Sequence, residues 1–483
     1  MEFLAWFGFL PLFFTLDKKS QKQTFFLFFI TGIIFWSGIV YWLAHVTLAG
    51  TIVLILYMAL YFGIFGLIIR PMTRRSTPYV LLFIPSTWVL IEYLRSHLLT
   101  GFPWAILGYS QYLNLPFIQI ADITGVWGVS FLVMLVNVAI VEIIWSARAG
   151  LRARSKITVI LLILFLSLTL SYGYFRLLPR PRINTLEPLR ISVVQGNIPQ
   201  QLKWEEGSRD FIMERYFAIS KDALKDRPDL IIWPEAALPV VIDDEPSYYA
   251  RVKDFIKETG TPLLFGAVSS RNNLYYNEAL LVSKEGQLLT RYDKLHLVPF
   301  GEYIPLRKVF SFLETVVPIG DFSSGREYTL FKIPGSQSQV PGEFAVLICF
   351  EDLFPELSRE FVKKGAGFLV NITNDAWFKM TSSPYQHLSA SVFRAVENRV
   401  FLVRSANTGV SGFIAPTGGI ISLVCDKSGN NIFITGYRAG EILASRRFTS
   451  FYTRYGDSFI IVCLLFVLCG MIFFKKEAMK RHV

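Results

Sequence analysis

The stretch FAVLICFED, residues 344–352, decides how the second half of the chain is interpreted. Its first five residues are apolar and partly β-branched, which predicts a buried strand. Cys349 follows where that strand should end, and Glu351 and Asp352 come directly after it. A thiol in this position is a candidate nucleophile, although a lone cysteine is more often a small buried core residue. The stretch alone leaves both interpretations open.

Two other stretches favour the nucleophile. The apolar run before Glu235 in WPEAALP, residues 233–239, predicts a second strand that ends in a single carboxylate. Lys294 lies in YDKLHLVPFGEYIP, residues 292–305, just before an apolar turn. Taken singly, such a carboxylate is usually solvated or capping, and such a lysine is usually a surface charge.

The order Glu235, Lys294, Cys349, with spacings of 59 and 55 residues, resembles the nitrilase superfamily. The resemblance implies an α/β domain folded as an αββα sandwich, with these three residues as the catalytic triad. The predicted strands and helices between about 190 and 447 alternate, which indicates an α/β fold but does not by itself give the sandwich.

Composition indicates an integral membrane protein. The chain has 483 residues, of which 52% are hydrophobic and 15% aromatic, with a mean hydropathy of +0.43. The net charge of +11 does not indicate nucleic acid, because many basic residues flank apolar spans and no nucleic-acid motif is present. Four cysteines give no disulfide framework, and five scattered histidines lack metal-ligand spacing. We therefore expect no metal, no cofactor and no nucleic-acid partner.

The apolar spans define the domain organisation. We predict a polytopic α-helical membrane region over 1–180 with about six segments, the first of them short. A catalytic domain over 190–447 follows, then a C-terminal membrane helix over 457–475 and a basic tail over 476–483. Lysines and arginines lie in alternate loops, so the positive-inside rule places the basic loops and the tail in the cytoplasm. The catalytic domain is then extracytoplasmic, on the periplasmic side of a bacterial inner membrane.

A membrane region around an external Glu-Lys-Cys domain resembles the apolipoprotein N-acyltransferase family. The resemblance covers nearly the whole chain and includes GFPW at 101–104, QGNIPQ at 195–200, Lys203 with Trp204, and NDAWF at 374–378. It implies supporting or oxyanion roles for three residues: Phe350, Glu302 and Glu351. It also gives four candidate substrate-binding residues: Trp204, Trp104, Asn277 and Trp377. Phe350 departs from the family, where many members have tyrosine.

The implied reaction is ping-pong acyl transfer at Cys349. A membrane phospholipid donates an acyl chain to the thiol, and the resulting thioester passes it to the α-amino group of a lipoprotein's N-terminal diacylglyceryl-cysteine. Two alternatives remain at this point. One is a membrane-tethered amidohydrolase that uses water as acceptor, and the other is a non-enzymatic lipoprotein-binding scaffold. We expect the protein to act in the bilayer as a monomer.

Overall fold

The computed structural model describes residues 2–73, 79–179, 188–303, 321–333, 343–444 and 449–480. The chain divides into two compact units. One contains Met1–Pro179 and Tyr455–Val483, and the other contains Arg180–Arg454. We call them the membrane unit and the catalytic unit, and each is described separately.

Every regular element among the described residues of the membrane unit is a helix. Its helices are α1 (Leu10–Phe14), α2 (Gln21–Ile39), α3 (Leu48–Thr73), α4 (Val80–His97), α5 (Leu115–Ile118), α6 (Ala121–Thr124), α7 (Val126–Arg148), α8 (Arg152–Leu177) and, near the C-terminus, α14 (Ser458–Lys480). Among the described helices, four are long and apolar enough to cross a membrane: Gln21–Ile39, Leu48–Pro71, Val126–Arg148 and Arg152–Leu177. The chain is therefore a membrane-associated protein.

Two charged side chains of the membrane unit form hydrogen bonds with the irregular backbone that follows α4. Arg95 of α4 is buried, and its Nη1 donates hydrogen bonds to the carbonyls of Phe102 and Trp104, at 2.6 and 2.8 Å. The carboxylate of Glu92, one turn earlier on α4, accepts a hydrogen bond from the Leu107 N–H at 2.7 Å. Buried backbone groups outside helices need such partners, so both charges stabilise the loop that carries GFPW.

The described residues of the catalytic unit form two six-stranded sheets. The first has the order β12-β1-β2-β3-β4-β5, and β1, β2 and β3 are parallel. Its strands are β1 (Leu189–Gln195), β2 (Leu230–Ile232), β3 (Leu263–Arg271), β4 (Leu274–Val282), β5 (Leu288–Asp293) and β12 (Gly436–Ile442). Helices α9 (Arg209–Ala223) and α10 (Pro246–Thr259) pack on it through an apolar cluster that includes Tyr216, Trp233 and Phe255.

The second sheet has the order β11-β10-β9-β8-β7-β6, and β7, β8 and β9 are parallel. Its strands are β6 (Phe331–Lys332), β7 (Glu343–Ile348), β8 (Phe368–Thr373), β9 (Phe401–Ala406), β10 (Gly412–Ile414) and β11 (Ile420–Leu423). Helices α11 (Pro355–Lys364) and α12 (Ser383–Asn398) accompany this sheet, and a short helix, α13 (Phe451–Tyr455), follows it in the chain.

The two sheets face each other. Ser405 of β9 donates hydrogen bonds to the carbonyls of Val194 in β1 and Ile232 in β2, at 3.1 and 3.2 Å. Such bonds require the sheets to be stacked with the helices on their outer faces, which is an αββα sandwich. The predicted fold class is confirmed.

Candidate active site

Cys349 lies at the junction of β7 and a single 3₁₀ turn, Cys349–Leu353. Its φ is +54°, in the left-handed region that costs a non-glycine residue roughly 1–2 kcal/mol. Its side chain is partly exposed. The first amides of a helical turn have no carbonyl partner within the turn, so the Phe350 N–H is a candidate hydrogen-bond donor to a reacting oxygen.

Glu235 follows β2 in a turn that is fixed by close packing. Trp233 is fully buried and stacks on Tyr216 with ring centroids 5.0 Å apart. On the other side, Gly266 of β3 lies so close that a Cβ there would be 2.6 Å from the Glu235 Cα and 2.5 Å from the Ala236 nitrogen. A glycine is required for this approach, and it keeps the Glu235 backbone against the sheet.

Lys294 follows β5, and its N–H donates to the Asn277 carbonyl at 2.9 Å. Its ammonium is 1% exposed and lies 2.9 Å from Glu302 Oε1 and 3.5 Å from Glu235 Oε1. Burial opposes the positive charge, but Glu302 and then Glu235 outweigh it and raise the pKa of Lys294. The lysine is therefore a permanent cation between two carboxylates.

Asn277 holds those two carboxylates in place. Its Nδ2 donates to Oε1 of Glu235 and to Oε1 of Glu302, both at 2.8 Å. The other Glu302 oxygen accepts from the Val298 N–H at 2.7 Å. In the structure Asn277 contacts these protein groups, while its predicted contact with substrate stays a prediction.

Glu351 ties the Lys294 loop to the turn that starts at Cys349. One of its oxygens accepts from the Tyr292 hydroxyl at 2.8 Å and from two loop amides, Leu295 at 2.7 Å and His296 at 3.0 Å. The other oxygen accepts from the Ile348 N–H at 2.7 Å. Burial raises the pKa of Glu351 to about 7, although these hydrogen-bond donors act to lower it. The carboxyl is thus a bridge between two segments of the site.

The Cys349 thiol is not a preformed thiolate. Burial and then the Glu235 carboxylate raise its pKa well above the ordinary value, and Lys294 offsets them only in part. The thiol therefore carries its proton at neutral pH and needs a base to become a nucleophile. Glu235 is the carboxylate whose charge acts on it most strongly.

Two buried groups received no role from the sequence. Lys203, 4% exposed, donates from Nζ to the Glu235 carbonyl at 3.0 Å, and its pKa falls to about 8 because burial outweighs the nearby negative groups. His387 lies beside the Cys349 carbonyl, with the carboxylates of Asp352 and Asp375 on its two ring nitrogens. Asp352 and Asp375 come shortly after the buried strands β7 and β8. Acidic residues in such positions are expected to be buried beside a cation, and this is the signal in the sequence that could have pointed to His387.

The predicted aromatic residues fall in different environments. Trp204 is half-buried in the catalytic unit, and Trp377 is 38% exposed there. The Phe350 ring is buried and packs against Phe354, with centroids 5.1 Å apart. Trp104 belongs to the membrane unit, where it is 3% exposed with its ring centroid 4.9 Å from that of Trp42. Within the described ranges, no cluster of three or more histidine, cysteine or acidic side chains has a metal-binding arrangement.

Comparison with known proteins places the chain in a family. Residues 190–439 match the carbon-nitrogen hydrolase family, and residues 1–139 match the apolipoprotein N-acyltransferase N-terminal domain. An apolipoprotein N-acyltransferase of Geobacter metallireducens is 40% identical over 95% of this chain and 89% of its own. An apolipoprotein N-acyltransferase 2 of Treponema denticola is 30% identical over 96% of this chain and 90% of its own. An amidase from Nesterenkonia sp. is 17% identical, with a TM-score of 0.42 over 57% of this chain and 95% of the amidase.

The catalytic unit is thus a carbon-nitrogen hydrolase domain of the nitrilase superfamily. It follows a membrane region that matches the N-terminal domain of apolipoprotein N-acyltransferases. The chain belongs to the apolipoprotein N-acyltransferase family, and it is an enzyme. The predicted family is confirmed, and the scaffold interpretation is set aside.

Proposed function

We propose that the enzyme transfers an acyl chain from a membrane phospholipid to the α-amino group of a lipoprotein's N-terminal diacylglyceryl-cysteine. The observation that carries this proposal is the buried pair of Glu235 and Lys294, whose charges act on the Cys349 thiol in a chain of this family. A thiol nucleophile with a carboxylate base and a fixed cation is suited to acyl transfer through a thioester.

In the first half-reaction, Glu235 takes the Sγ proton as sulfur attacks the ester carbonyl of the phospholipid. Lys294 and the Phe350 N–H stabilise the oxyanion that forms, a contribution typically worth about 3 kcal/mol for each donor. The C–O bond then breaks, and Glu235 returns the proton to the leaving oxygen of the lysophospholipid. Cys349 is left as a thioester.

In the second half-reaction, the acceptor amine attacks the thioester carbonyl and gives a proton to Glu235. The C–S bond breaks as the amide forms, and Glu235 reprotonates the thiolate, so the enzyme returns to its starting state. Glu302 and Asn277 keep Lys294 and Glu235 in register through both steps, and Glu351 keeps the Lys294 loop beside the nucleophile. No metal or cofactor enters this scheme.

Two of the predicted substrate-binding aromatic residues, Trp204 and Trp377, are proposed to contact the lipid parts of the two substrates. Both side chains are partly exposed, which supports this role for them. The burial of Trp104 instead favours support of the GFPW loop, which its carbonyl contact with Arg95 also fixes.

The direct test uses purified protein, a phospholipid with a labelled acyl chain and a diacylated lipopeptide. We expect a hydroxylamine-sensitive acyl label on Cys349 and a triacylated peptide. Cys349→Ser should show neither, because a serine alkoxide is much harder to form than a thiolate. Cys425→Ser, at an exposed position, is the control and should behave as wild type. Release of free fatty acid without peptide acylation would support the hydrolase alternative instead.

We also propose a bacterial inner-membrane location with the catalytic unit outside and basic loops inside. In a Cys349→Ala background, the native Cys425 should react with an impermeant maleimide in intact spheroplasts. With Cys425→Ser added, Ala149→Cys, exposed between α7 and α8, should react only after lysis. The reverse pattern would place the catalytic unit in the cytoplasm, where the exported acceptor is absent. Light scattering of the detergent-solubilised protein tests the expected monomer.

A further inference from the structure

A buried charge cluster touches the nucleophile's own backbone. The ring of His387 on α12 is 1% exposed. Its Nδ1 lies 3.0 Å from Asp375 Oδ1, and its Nε2 lies 2.7 Å from Asp352 Oδ1 and 3.3 Å from the Cys349 carbonyl oxygen. Three separate chain segments meet in this cluster: the turn after β7, the turn after β8, and α12.

The hydrogen-bond pattern requires an imidazolium. A carboxylate only accepts hydrogen bonds, so a ring with a carboxylate on each nitrogen must donate from both. Arg404 of β9 completes the cluster, with Nη1 3.1 Å from Asp352 Oδ2 and Nη2 3.4 Å from Asp375 Oδ2. Two cations then balance two anions. Burial and Arg404 lower the pKa of His387, but Asp352 and Asp375 outweigh them and raise it to about 9.

The Cys349 carbonyl has two buried donors. One is His387 Nε2, whose single N–H is shared between Asp352 Oδ1 at 2.7 Å and this carbonyl at 3.3 Å, and the other is Nδ2 of Asn371, at 3.2 Å. The peptide that joins Cys349 to Phe350 is planar and trans, so its C=O and N–H point in opposite directions. Fixing the carbonyl from one side therefore fixes the direction of the Phe350 N–H on the other. The positive φ of Cys349 makes this restraint necessary, because an unrestrained residue would relax to a more favoured conformation.

We propose that His387 is a positioning residue for acyl transfer: it holds the Cys349–Phe350 peptide so that the Phe350 N–H faces the reacting carbonyl. The idea rests on the oxyanion role given to Phe350 under the proposed function. It predicts a defect in steps that create an oxyanion and little defect in reactions of the thiol that create none.

Two substitutions of the same residue separate this role from the loss of charge. In His387→Gln the side-chain amide nitrogen reaches the place of Nε2, so a donor to the Cys349 carbonyl is kept. In His387→Asn the amide nitrogen reaches only the place of Nδ1, so that donor is lost. Both variants remove one positive charge from the same cluster.

The readouts are the rate of thioester formation from labelled phospholipid, with kcat and KM, and the rate of Cys349 alkylation by iodoacetamide. Removal of an oxyanion donor typically lowers kcat about 100-fold or more. For His387→Asn we expect kcat to fall by about this factor, with KM within about 3-fold of the wild-type value. For His387→Gln the loss in kcat should be at least 10-fold smaller. Alkylation, which forms no oxyanion, should be equal in the two variants.

Glu397→Gln is the matched control, since Glu397 is equally buried on α12 and pairs with Arg394 at 2.9 Å without contacting Cys349. It should keep a near wild-type kcat. Asn371→Asp removes the other donor to the same carbonyl and should also slow thioester formation. This variant tests the proposal even if His387→Asn fails to fold.

Equal thioester rates in His387→Asn and His387→Gln, alkylation that falls in parallel with acylation, or normal acylation in Asn371→Asp would overturn the proposal. Wild-type protein that formed no thioester at all would instead refute the proposed function, so the two failures are distinguishable.

Discussion

Glu278 of β4 is a carboxylate whose removal should stabilise the protein. It is fully buried, and no well-formed hydrogen bond within 3.5 Å reaches either of its oxygens from the described residues, although the Ser269 hydroxyl lies near enough to favour the charged form. Arg291 and Arg271 lie at 3.6 and 3.8 Å, too far for a hydrogen bond. Burial raises the pKa of Glu278 to about 7, and the arginines offset it only in part. Its charged form is therefore disfavoured in the folded state.

The magnitude follows from linkage. The pKa of Glu278 rises from 4.5 in the reference state to about 7 in the fold. Folding thus favours the protonated form of Glu278. The contribution of this carboxyl to the free energy of unfolding is fully present below pH 4.5 and is lost as pH rises toward 7. At about 1.4 kcal/mol per pH unit, the loss by pH 8 is about 3 kcal/mol. Glu278→Gln keeps the shape without the charge, so it should recover most of that amount at pH 8 and almost none at pH 4.5.

Thermal unfolding of the detergent-solubilised protein, followed by tryptophan fluorescence, measures the effect. For a unit of this size, about 3 kcal/mol corresponds to a rise in Tm of about 6 °C. Glu441→Gln, on an exposed ion pair with Arg190, is the control and should change Tm by about 1 °C or less at either pH. A Glu278→Gln variant that melts at or below the wild-type temperature at pH 8, or with the same gap at both pH values, would refute the reasoning.

Two further predictions concern the site. Glu235→Gln should remain folded, being nearly isosteric, and lose thioester formation by about 100-fold or more because the base is gone; near wild-type turnover would show that another carboxylate is the base. Lys203→Met should slow thioester formation about 10-fold, since a charged donor to the Glu235 carbonyl is lost. Lys225→Met, at a 74% exposed lysine, is its control, and equal rates in the two lysine variants would contradict the assigned contact.

The strands that could be predicted from the sequence are those formed by local runs of apolar residues. β2 and β7 are fully or almost fully buried, and their hydrophobic runs indicate both the strands and the residues that follow them, Glu235 and Cys349. Such runs predict a strand that begins at Arg190 and strands over 228–233, 262–268, 278–283, 344–349, 367–371, 400–404 and 411–415. They do not predict β5, β6, β11 or β12. β12, Gly436–Ile442, has the sequence GYRAGEI, which contains two glycines and two charged residues and no apolar run. The strand forms because it pairs with β1 along Leu189 to Gln195. That partner lies far away in sequence.

The candidate site divides in the same way. Strand ends indicate Glu235 and Cys349 as candidates, but the proposed triad, like the αββα arrangement, came from family resemblance and not from periodicity. His387 could not be assigned, because its partners lie 35 residues away in Asp352 and 12 residues away in Asp375. Each of these residues alone is an ordinary polar side chain, and only the packing of α12 on the sheet brings them together.

Cys349 is flanked by two buried charge clusters, and each is balanced. The first consists of Lys203, Lys294, Glu235 and Glu302, and the second of His387, Arg404, Asp352 and Asp375. A buried charge left without its partner is costly, so neutralising any one member disturbs the others. A lower rate in a single variant therefore reports both the missing group and the charge left behind. Only variants that remove the same charge but place their remaining donor differently, as His387→Asn and His387→Gln do, separate the geometry around the thiol from its electrostatics.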